Sequence, residues 1–562
     1  MVKTTKLELT WIGKETRPRL EPRILLEDDT KSYHAKARVS DRDIFDNRLI
    51  CGDNLLALKS LEQELAGQVK CIYIDPPYNT GAAFIHYDDG VEHSTWLSLI
   101  RERLELLWRL LSSDGSLWVS IDDYEMPYLR VLMDEVCGRT NFVASNVWQK
   151  RYSRENREAI GDVHEYIVVY AKVPERFKAI RNLVPITDEQ AKVYKNPNND
   201  PRGRWRGIPM TAQGYRPNQM YPIKSPSGVV HRPPEGRCWS TIESEFEKLK
   251  REGRIWFGKD GSSQPNVIRY LSEVEGMVPW TWWPSDEVGH TDEAKKEIHE
   301  LFGKVDAFET PKPERLMERI ITIASSPNDI VLDSFAGSGT TGAVAHKLGR
   351  RWIMVELGEH CDKLIVPRLK KVVDGTDKGG ITEHVNWMGG GGFRYYRLAP
   401  SLLEKDKFGN WIISRQHNAA MLAEAMCKLE GFTYAPSDTE YWIHGHSTER
   451  DFIYVTTQTL TREQLQKLSD DVGDSRSLLV CCSAFRIKGV SQFLNLTVKK
   501  IPKMVLSRCE WGRDDYSLEI KNLPELCPPP EPAPAAPTNG RTKPTQGSMD
   551  LFEAAAEGSQ SR

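Results

Sequence analysis

Residues 329–344 read DIVLDSFAGSGTTGAV, which places a glycine-rich turn between an apolar strand and a helix. Such a turn lets a ligand approach the backbone closely, at the positive end of the helix dipole. Gly337, Gly339 and Gly342 have the G-x-G-x-x-G spacing. Glu356 ends the next predicted strand, where an acid can bind ribose hydroxyls. The turn predicts a site for an adenosine-containing ligand, and NAD, FAD and S-adenosylmethionine are all compatible with it.

Strands and helices are predicted to alternate on both sides of this turn. Strand-like runs cover 48–51, 69–75, 116–122, 164–172 and 351–357, and helical periodicity covers 94–111, 313–325 and 340–348. Such alternation indicates a parallel sheet covered by helices. Residues 173–300 are rich in Pro, Gly, Arg and Trp and have no sustained period, so they divide one α/β domain in two.

The predicted domain order follows from these shifts in pattern. It is an N-terminal arm (1–45), a first α/β half (46–172), an irregular insert (173–300), a second α/β half (301–375), a small C-terminal α/β domain (400–523) and a Pro/Ala-rich disordered tail (524–562). Within the C-terminal domain, 452–457 and 477–482 are predicted strands, and Thr461 with Gln464 forms a capping box that begins a helix.

The sequence DPPY, residues 75–78, ends the predicted strand 69–75. Two successive prolines cannot continue the strand, so the chain turns at the carboxyl edge of the sheet. The Asp75 carboxylate and the Pro76 carbonyl can accept both hydrogens of an exocyclic amine, which directs the nitrogen lone pair towards a methyl donor. Tyr78 can stack on a base turned out of a duplex. We therefore expect strands 69–75 and 329–333 to be neighbours, with both loops at one edge.

DPPYNTG (75–81), KPERL (312–316) and FAGSGTT (335–341), in this order, resemble the β class of DNA amino-methyltransferases, and especially the Mod subunits of type III restriction–modification systems. The resemblance implies a doubly wound, mostly parallel sheet of the methyltransferase type, circularly permuted, with the insert as the target-recognition region. It also implies methyl transfer from S-adenosylmethionine to N6 of a flipped-out adenine, as the modification subunit of a type III-like restriction–modification or phage-defence system in bacteria.

The resemblance assigns roles to individual residues. Asp53 approaches the cofactor adenine, and Lys312 and Pro313 lie beside the methionine end of the cofactor. The implied catalytic residues are Asp75, Pro76, Pro77 and Tyr78; the implied cofactor-binding residues are Asp53, Lys312, Pro313, Asp333, Phe335, Gly337, Ser338, Gly339, Thr340 and Glu356. Ser334 stands where the family commonly has proline, and we expect only a small effect on cofactor affinity.

Other functions stay open at this point. A nicotinamide oxidoreductase is compatible with the glycine turn but leaves DPPY unexplained. A catalytically silent DNA-binding module has no need of Asp75. A stand-alone N4-cytosine or orphan adenine methyltransferase is a closer alternative, although the family tends to have Ser in place of Asp75 when cytosine is the target.

The charge distribution and the composition indicate which partners the protein binds. The net charge is −3, yet residues 151–260 carry 21 Lys and Arg against 14 Asp and Glu, with interleaved aromatic residues, so we expect duplex DNA to bind there. The ten cysteines lack metal-ligand spacing, and no run is apolar enough for a membrane helix, so we predict a cytoplasmic, nucleoid-associated protein without a metal site.

Further candidate partners are a restriction or helicase subunit, a second copy of the chain and the replication sliding clamp. The clamp is suggested by QGSMDLF, Gln546–Phe552, which is similar to the form Qxx(L/M)xLF of bacterial clamp-binding peptides. An exposed Leu-Phe pair after a Pro/Ala-rich linker is otherwise hard to explain.

Overall fold

The computed structural model describes residues 8–79, 93–153, 159–303, 310–486, 492–501, 503 and 505–517. The predicted disordered tail and its clamp-like peptide therefore lie outside the described residues. None of the helices in the described part combines the length and the apolar character that a membrane crossing requires.

The described residues of the first part of the chain include seven strands and three α-helices. They are β1 (Leu25–Glu27), β2 (Tyr33–His34), β3 (Asn47–Cys51), α1 (Asn54–Leu65), β4 (Val69–Ile74), α2 (His93–Leu110), β5 (Leu111–Ile121), α3 (Met126–Met133), β6 (Phe142–Gln149) and β7 (His164–Ala171). The predicted strands and the predicted helix at 94–111 are confirmed here. In contrast to the irregular arm expected for 1–45, β1 and β2 pair with a later strand; they are too short to give a periodic signal.

The insert is more regular than its composition indicates. Its elements are α4 (Pro174–Ile180), α5 (Asp188–Ala191), β8 (Trp205–Pro209), β9 (Thr211–Gln213), β10 (Ile223–Lys224), β11 (Val230–His231), β12 (Arg237–Trp239), α6 (Glu243–Arg251), β13 (Ile255–Trp256), β14 (Asn266–Tyr270), β15 (Trp282–Trp283), α7 (Ser285–Val288) and α8 (Thr291–Phe302). Each of these strands has only two to five residues, so no window of the sequence is long enough to reveal them.

A narrow neck closes the inner part of the insert. Val184 and Met277 exchange two backbone hydrogen bonds, of 2.9 and 2.8 Å. Between them, residues 185–276 form an inner lobe with its own small cores, made of Met210, Ile223, Trp239, Phe246 and Phe257 and of Trp205, Ile268 and Tyr270. Beyond the neck, Trp283 returns to the main core, so the end of the insert packs with the α/β halves.

The rest of the chain completes the α/β sheet and adds a second one. Its elements are α9 (Glu314–Ala324), β16 (Ile330–Asp333), α10 (Thr340–Lys347), β17 (Arg351–Glu356), α11 (Val366–Val373), β18 (Gly392–Leu398), β19 (Leu403–Lys405), β20 (Trp411–Ile413), α12 (Ala419–Glu430), β21 (Thr433–Tyr434), β22 (Gly445–His446), β23 (Asp451–Leu460), α13 (Arg462–Val472), β24 (Ser477–Phe485) and β25 (Leu496–Lys500). The predicted capping box of Thr461 and Gln464 is present at the start of α13.

The main sheet has the order β1-β18-β3-β17-β16-β4-β5-β7-β6-β15, and β2 also pairs with β18. The six strands from β18 to β5 are mutually parallel, whereas β7 is antiparallel to both of its neighbours. The expected pairing of strands 69–75 and 329–333 is confirmed by the parallel register of Val331 with Cys71 and of Leu332 with Ile72. The fold is therefore the predicted mostly parallel α/β sheet, with a smaller α/β sheet, β21 to β25, near the C-terminus.

Candidate active site

The loops that follow β4 and β16 open into one cavity of about 390 Å³. This volume is typical of small-molecule sites. Ten of the predicted site residues line it: Asp75, Pro76, Pro77, Tyr78, Lys312, Asp333, Phe335, Gly337, Ser338 and Thr340. The structure thus brings together two motifs that the insert separates in the sequence.

Two carboxylates hold the glycine turn in shape. The Gly337 N–H donates to Glu356 Oε2 at 2.8 Å, and the Phe335 N–H donates to Asp333 Oδ1 at 2.9 Å. Gly337 and Gly339 have φ angles of +53° and +75°, which only glycine adopts without strain. A Cβ atom at Gly339 would also lie 2.9 Å from Ile365 Cγ2. The turn therefore keeps its backbone close to the cavity.

The Asp75 carboxylate lies in a cluster of charged and polar groups. Its Oδ1 accepts a hydrogen bond from the Tyr78 hydroxyl at 2.7 Å, and its Oδ2 accepts one from Lys312 Nζ at 2.6 Å. The Trp96 indole donates to the Pro77 carbonyl at 2.6 Å and so fixes the DPPY turn. The Lys312 ammonium contacts Asp75, and its predicted place beside a cofactor stays a prediction.

Sequence reasoning missed a second acid, Glu165, in the same cluster. Its Oε2 lies 3.1 Å from the Tyr78 hydroxyl and 3.6 Å from Lys312 Nζ, and its Oε1 lies 3.5 Å from Lys150 Nζ. Glu165 belongs to β7, whose other residues are mostly buried and apolar. An acid within a predicted buried strand was the available signal, because such a charge needs a partner.

The environment shifts the pKa values of several acids around the cavity. Burial raises the pKa of Asp75, which the charge of Lys312 opposes. Burial also raises the pKa of Asp122 to about 6 and that of Asp333 to about 7. Although burial disfavours the Lys312 ammonium, the Asp75 and Glu165 carboxylates raise its pKa. Both carboxylates thus favour the charged form of Lys312.

Four predicted residues do not line this cavity: Asp53, Pro313, Gly339 and Glu356. Asp53 is the N-cap of α1 and accepts a hydrogen bond from the Leu56 N–H at 3.0 Å. Its Oδ2 also accepts one from the Tyr516 N–H at 2.9 Å. These contacts give Asp53 a structural role, and its predicted contact with a cofactor stays a prediction.

The lining fits an adenosine-containing ligand in its chemistry. Phe335, Ala336 and Met317 offer apolar surface, while Ser338 and Thr340 offer hydroxyl groups. Binding sites for small molecules combine such surface with few polar groups. Asp123, Asp162 and His164, of which Asp162 lines the cavity, place ligand atoms within 4.8 Å of one another, a grouping that exposed acids often form without a metal ion.

Comparison with known proteins identifies the family. Residues 69–366 match the model of a DNA methylase family, and this span contains both motifs of the cavity. The chain belongs to this family. The Mod subunit of the type III restriction–modification enzyme StyLTI from Salmonella typhimurium is 36% identical over 332 residues, which cover 52% of this chain and 49% of that subunit. The chain therefore spans about half of the length of that relative.

Two further comparisons have lower similarity. The type II methyltransferase M.KpnI from Klebsiella pneumoniae is 30% identical over 339 residues, covering 55% of this chain and 78% of the relative. Among solved structures, the cytosine-N4-specific PvuII DNA methyltransferase covers 63% of this chain and 94% of its own, with 14% identity and a TM-score of 0.34.

The raised pKa of Asp333 predicts how stability depends on pH. Its folded-state pKa of about 7 exceeds the ordinary value of 3.8, so its stabilising contribution is complete below pH 4 and is lost as the pH rises to about 7. Asp333→Asn should remove this loss. Between pH 5 and pH 8, the free energy of unfolding should therefore decrease less in the variant than in the wild type, and the difference between the two decreases should be about 2 kcal/mol. Urea unfolding of both proteins at both pH values measures these free energies.

Asp122→Asn is the matched control for this experiment. Because the pKa of Asp122 is raised only to about 6, its substitution should flatten the profile only below that pH. Parallel profiles for the wild type and Asp333→Asn would show that this carboxyl is ionised in the folded protein.

Proposed function

We propose that the protein is a site-specific DNA methyltransferase that transfers a methyl group from S-adenosylmethionine to N6 of an adenine turned out of the duplex. The observation that carries this proposal is the shared cavity of Asp75 and the glycine turn. Family membership and the similarity to the StyLTI Mod subunit support it, and they also support a role as the modification subunit of a type III-like restriction–modification system.

S-adenosylmethionine, when bound, supplies a methyl group that its positively charged sulfur has already activated. Phe335, Gly337, Ser338 and Thr340 would hold it at the glycine turn. Asp75 accepts one hydrogen of the adenine amine, stabilises the positive charge that develops on nitrogen and then takes up the proton. The Pro76 carbonyl accepts the second hydrogen. The ring of Tyr78, which lines the cavity, offers a face on which the base can stack.

The proposal also names adenine, and not cytosine, as the methylated base. N4 of cytosine is also an exocyclic amine, and Asp75 can accept its hydrogens equally well. The aspartate at this position favours adenine, because the family tends to have serine there for cytosine. The product of the reaction distinguishes the two bases directly.

Methyl transfer from labelled S-adenosylmethionine to duplex DNA should yield N6-methyladenine within one short motif. Asp75→Ala should lower kcat by at least about a hundredfold and leave cofactor affinity within about threefold, because the lost interaction acts in the transition state. Gly339→Asp, which strains the turn, should weaken cofactor binding instead. Isolation of N4-methylcytosine alone would refute the adenine assignment, and no methylation of any DNA would refute the proposed function.

The inner lobe carries the residues that we propose for DNA contact. Arg202, Arg204 and Arg206 are all exposed, but Arg202 also makes polar contacts within the lobe. Arg202 forms an ion pair of 2.9 Å with Asp200 and donates to the carbonyls of Glu252 and Gly253. Arg202 therefore has a structural role, and Arg204 and Arg206 give the sharper test.

Replacing Arg204 and Arg206 together by Ala should weaken DNA binding and reduce the slope of log affinity against log salt by up to about two, one for each lost phosphate contact. Fluorescence anisotropy with a labelled duplex at several salt concentrations measures this slope. Replacing the exposed Lys407 and Arg415 of the C-terminal region by Ala is the matched control and should leave it unchanged. An unaltered slope in the Arg204/Arg206 variant would place the DNA elsewhere.

We also propose the sliding clamp as a partner of Gln546–Phe552. Met549, Leu551 and Phe552 would enter an apolar groove, and Gln546 would bind at its rim. A peptide of residues 540–562 should bind purified bacterial clamp in a titration, and the same peptide with Leu551 and Phe552 changed to Ala should not. Equal binding of both peptides, or binding of neither, would exclude this contact. A restriction or helicase subunit and a second copy of the chain stay proposals as well.

A further inference from the structure

The Lys312 ammonium lies between two carboxylates in the candidate active site. Its Nζ is 2.6 Å from Asp75 Oδ2 and 3.6 Å from Glu165 Oε2. The side chains of Lys312 and Glu165 are both about nine-tenths buried, with 9% and 11% of their surfaces exposed. One cation thus serves two acids, of which only Asp75 has a role in the proposed reaction.

The contact with Lys312 conflicts with that role of Asp75. The adenine amine has to donate a hydrogen to this carboxylate, and its nitrogen becomes positively charged during methyl transfer. An ammonium bound to the same carboxylate competes for the oxygen. It also repels the developing charge, and this repulsion is strong at short range in a site with little water. Methyl transfer is therefore faster if Lys312 leaves Asp75 when the base enters.

Glu165 is placed to receive the departing ammonium. Lys312 Nζ needs to move by only about 1 Å to reach hydrogen-bonding distance of Glu165 Oε2. Glu165 itself is held in β7, where it pairs with Trp148 of β6, and its other oxygen lies near Lys150. Among the described residues, Asp75 and Glu165 are the acids that form ion pairs with Lys312.

We infer that Glu165 is a positioning residue that takes the Lys312 ammonium from Asp75 when the target adenine binds. This inference rests on the proposed function. In the free protein Lys312 compensates the charge of the catalytic acid, and in the complex with DNA it compensates the charge of Glu165. The ammonium stays paired in both states, and in the complex the adenine amine replaces it as the hydrogen-bond donor to Asp75.

The test is a suppressor experiment on single-turnover methylation. Glu165→Gln keeps the size of the side chain but removes its charge, so Lys312 stays on Asp75 and the rate should fall by about tenfold or more. Adding Lys312→Met removes the competing ammonium and should raise the rate at least about threefold above that of Glu165→Gln alone. Adding Lys150→Met, which removes the other ammonium near Glu165, should give no such recovery.

A binding measurement without cofactor provides an independent readout. Duplexes with adenine or with purine at the target position differ only in the 6-amino group. Glu165→Gln should lower the affinity ratio of adenine to purine, because the ammonium competes with that amino group, and Lys312→Met should restore the ratio. Glu165→Asp should retain part of the wild-type ratio and rate. Thermal unfolding shows whether each variant is folded.

Each outcome supports or overturns a defined statement. A Glu165→Gln rate within about twofold of the wild type overturns the inference. The inference is also overturned if the Glu165→Gln, Lys312→Met double variant is no faster than Glu165→Gln and has the same ratio of adenine to purine affinity. Recovery by Lys150→Met equal to that by Lys312→Met shows a general charge effect and overturns it too. A wild type that methylates no DNA refutes the proposed function, whereas an active wild type with these variant results refutes the inference alone.

Discussion

Hydrogen bonds between β4 and β16 join two segments that the whole insert separates in the chain. Because both strands run in the same direction, the DPPY turn and the glycine turn emerge at the same edge of the sheet. Neither turn forms the cavity alone, since one supplies the acid and the other supplies the loop that fits an adenosine. Burial of Leu332, Ile72 and their neighbours on both faces fixes this pairing, so the core of the sheet determines the geometry of the site.

Charge compensation is the second constraint on the site. Two acids and a lysine share a largely buried space, and both acids raise the pKa of the lysine against the effect of burial. Asp333 and Glu356 face a different demand: each accepts hydrogen bonds from backbone N–H groups of the glycine turn. The same kind of side chain therefore supports the loop on one side of the cavity and pairs with a buried ammonium on the other.

The sequence predicted the features that local patterns encode. Asp75, Tyr78, Gly337 and Gly339 belong to short motifs, and their positions follow from one strand and one turn each. Glu165 was missed because its place beside Asp75 depends on how β5, β7 and β6 pair, which no local pattern specifies. The contact of Lys312 with Asp75 was missed for the same reason. The short strands of the N-terminal arm and of the insert form because distant partners pair with them, so propensity alone could not reveal them.

The neck at Val184 and Met277 separates the inner lobe from every strand of the main sheet. The lobe has its own cores and enters and leaves the rest of the chain at adjacent points. A genetic exchange of residues 185–276 between relatives would therefore leave the cavity, the glycine turn and the DPPY turn intact. The architecture would thus allow the inner lobe to be replaced as one unit without a change in the residues that line the cavity.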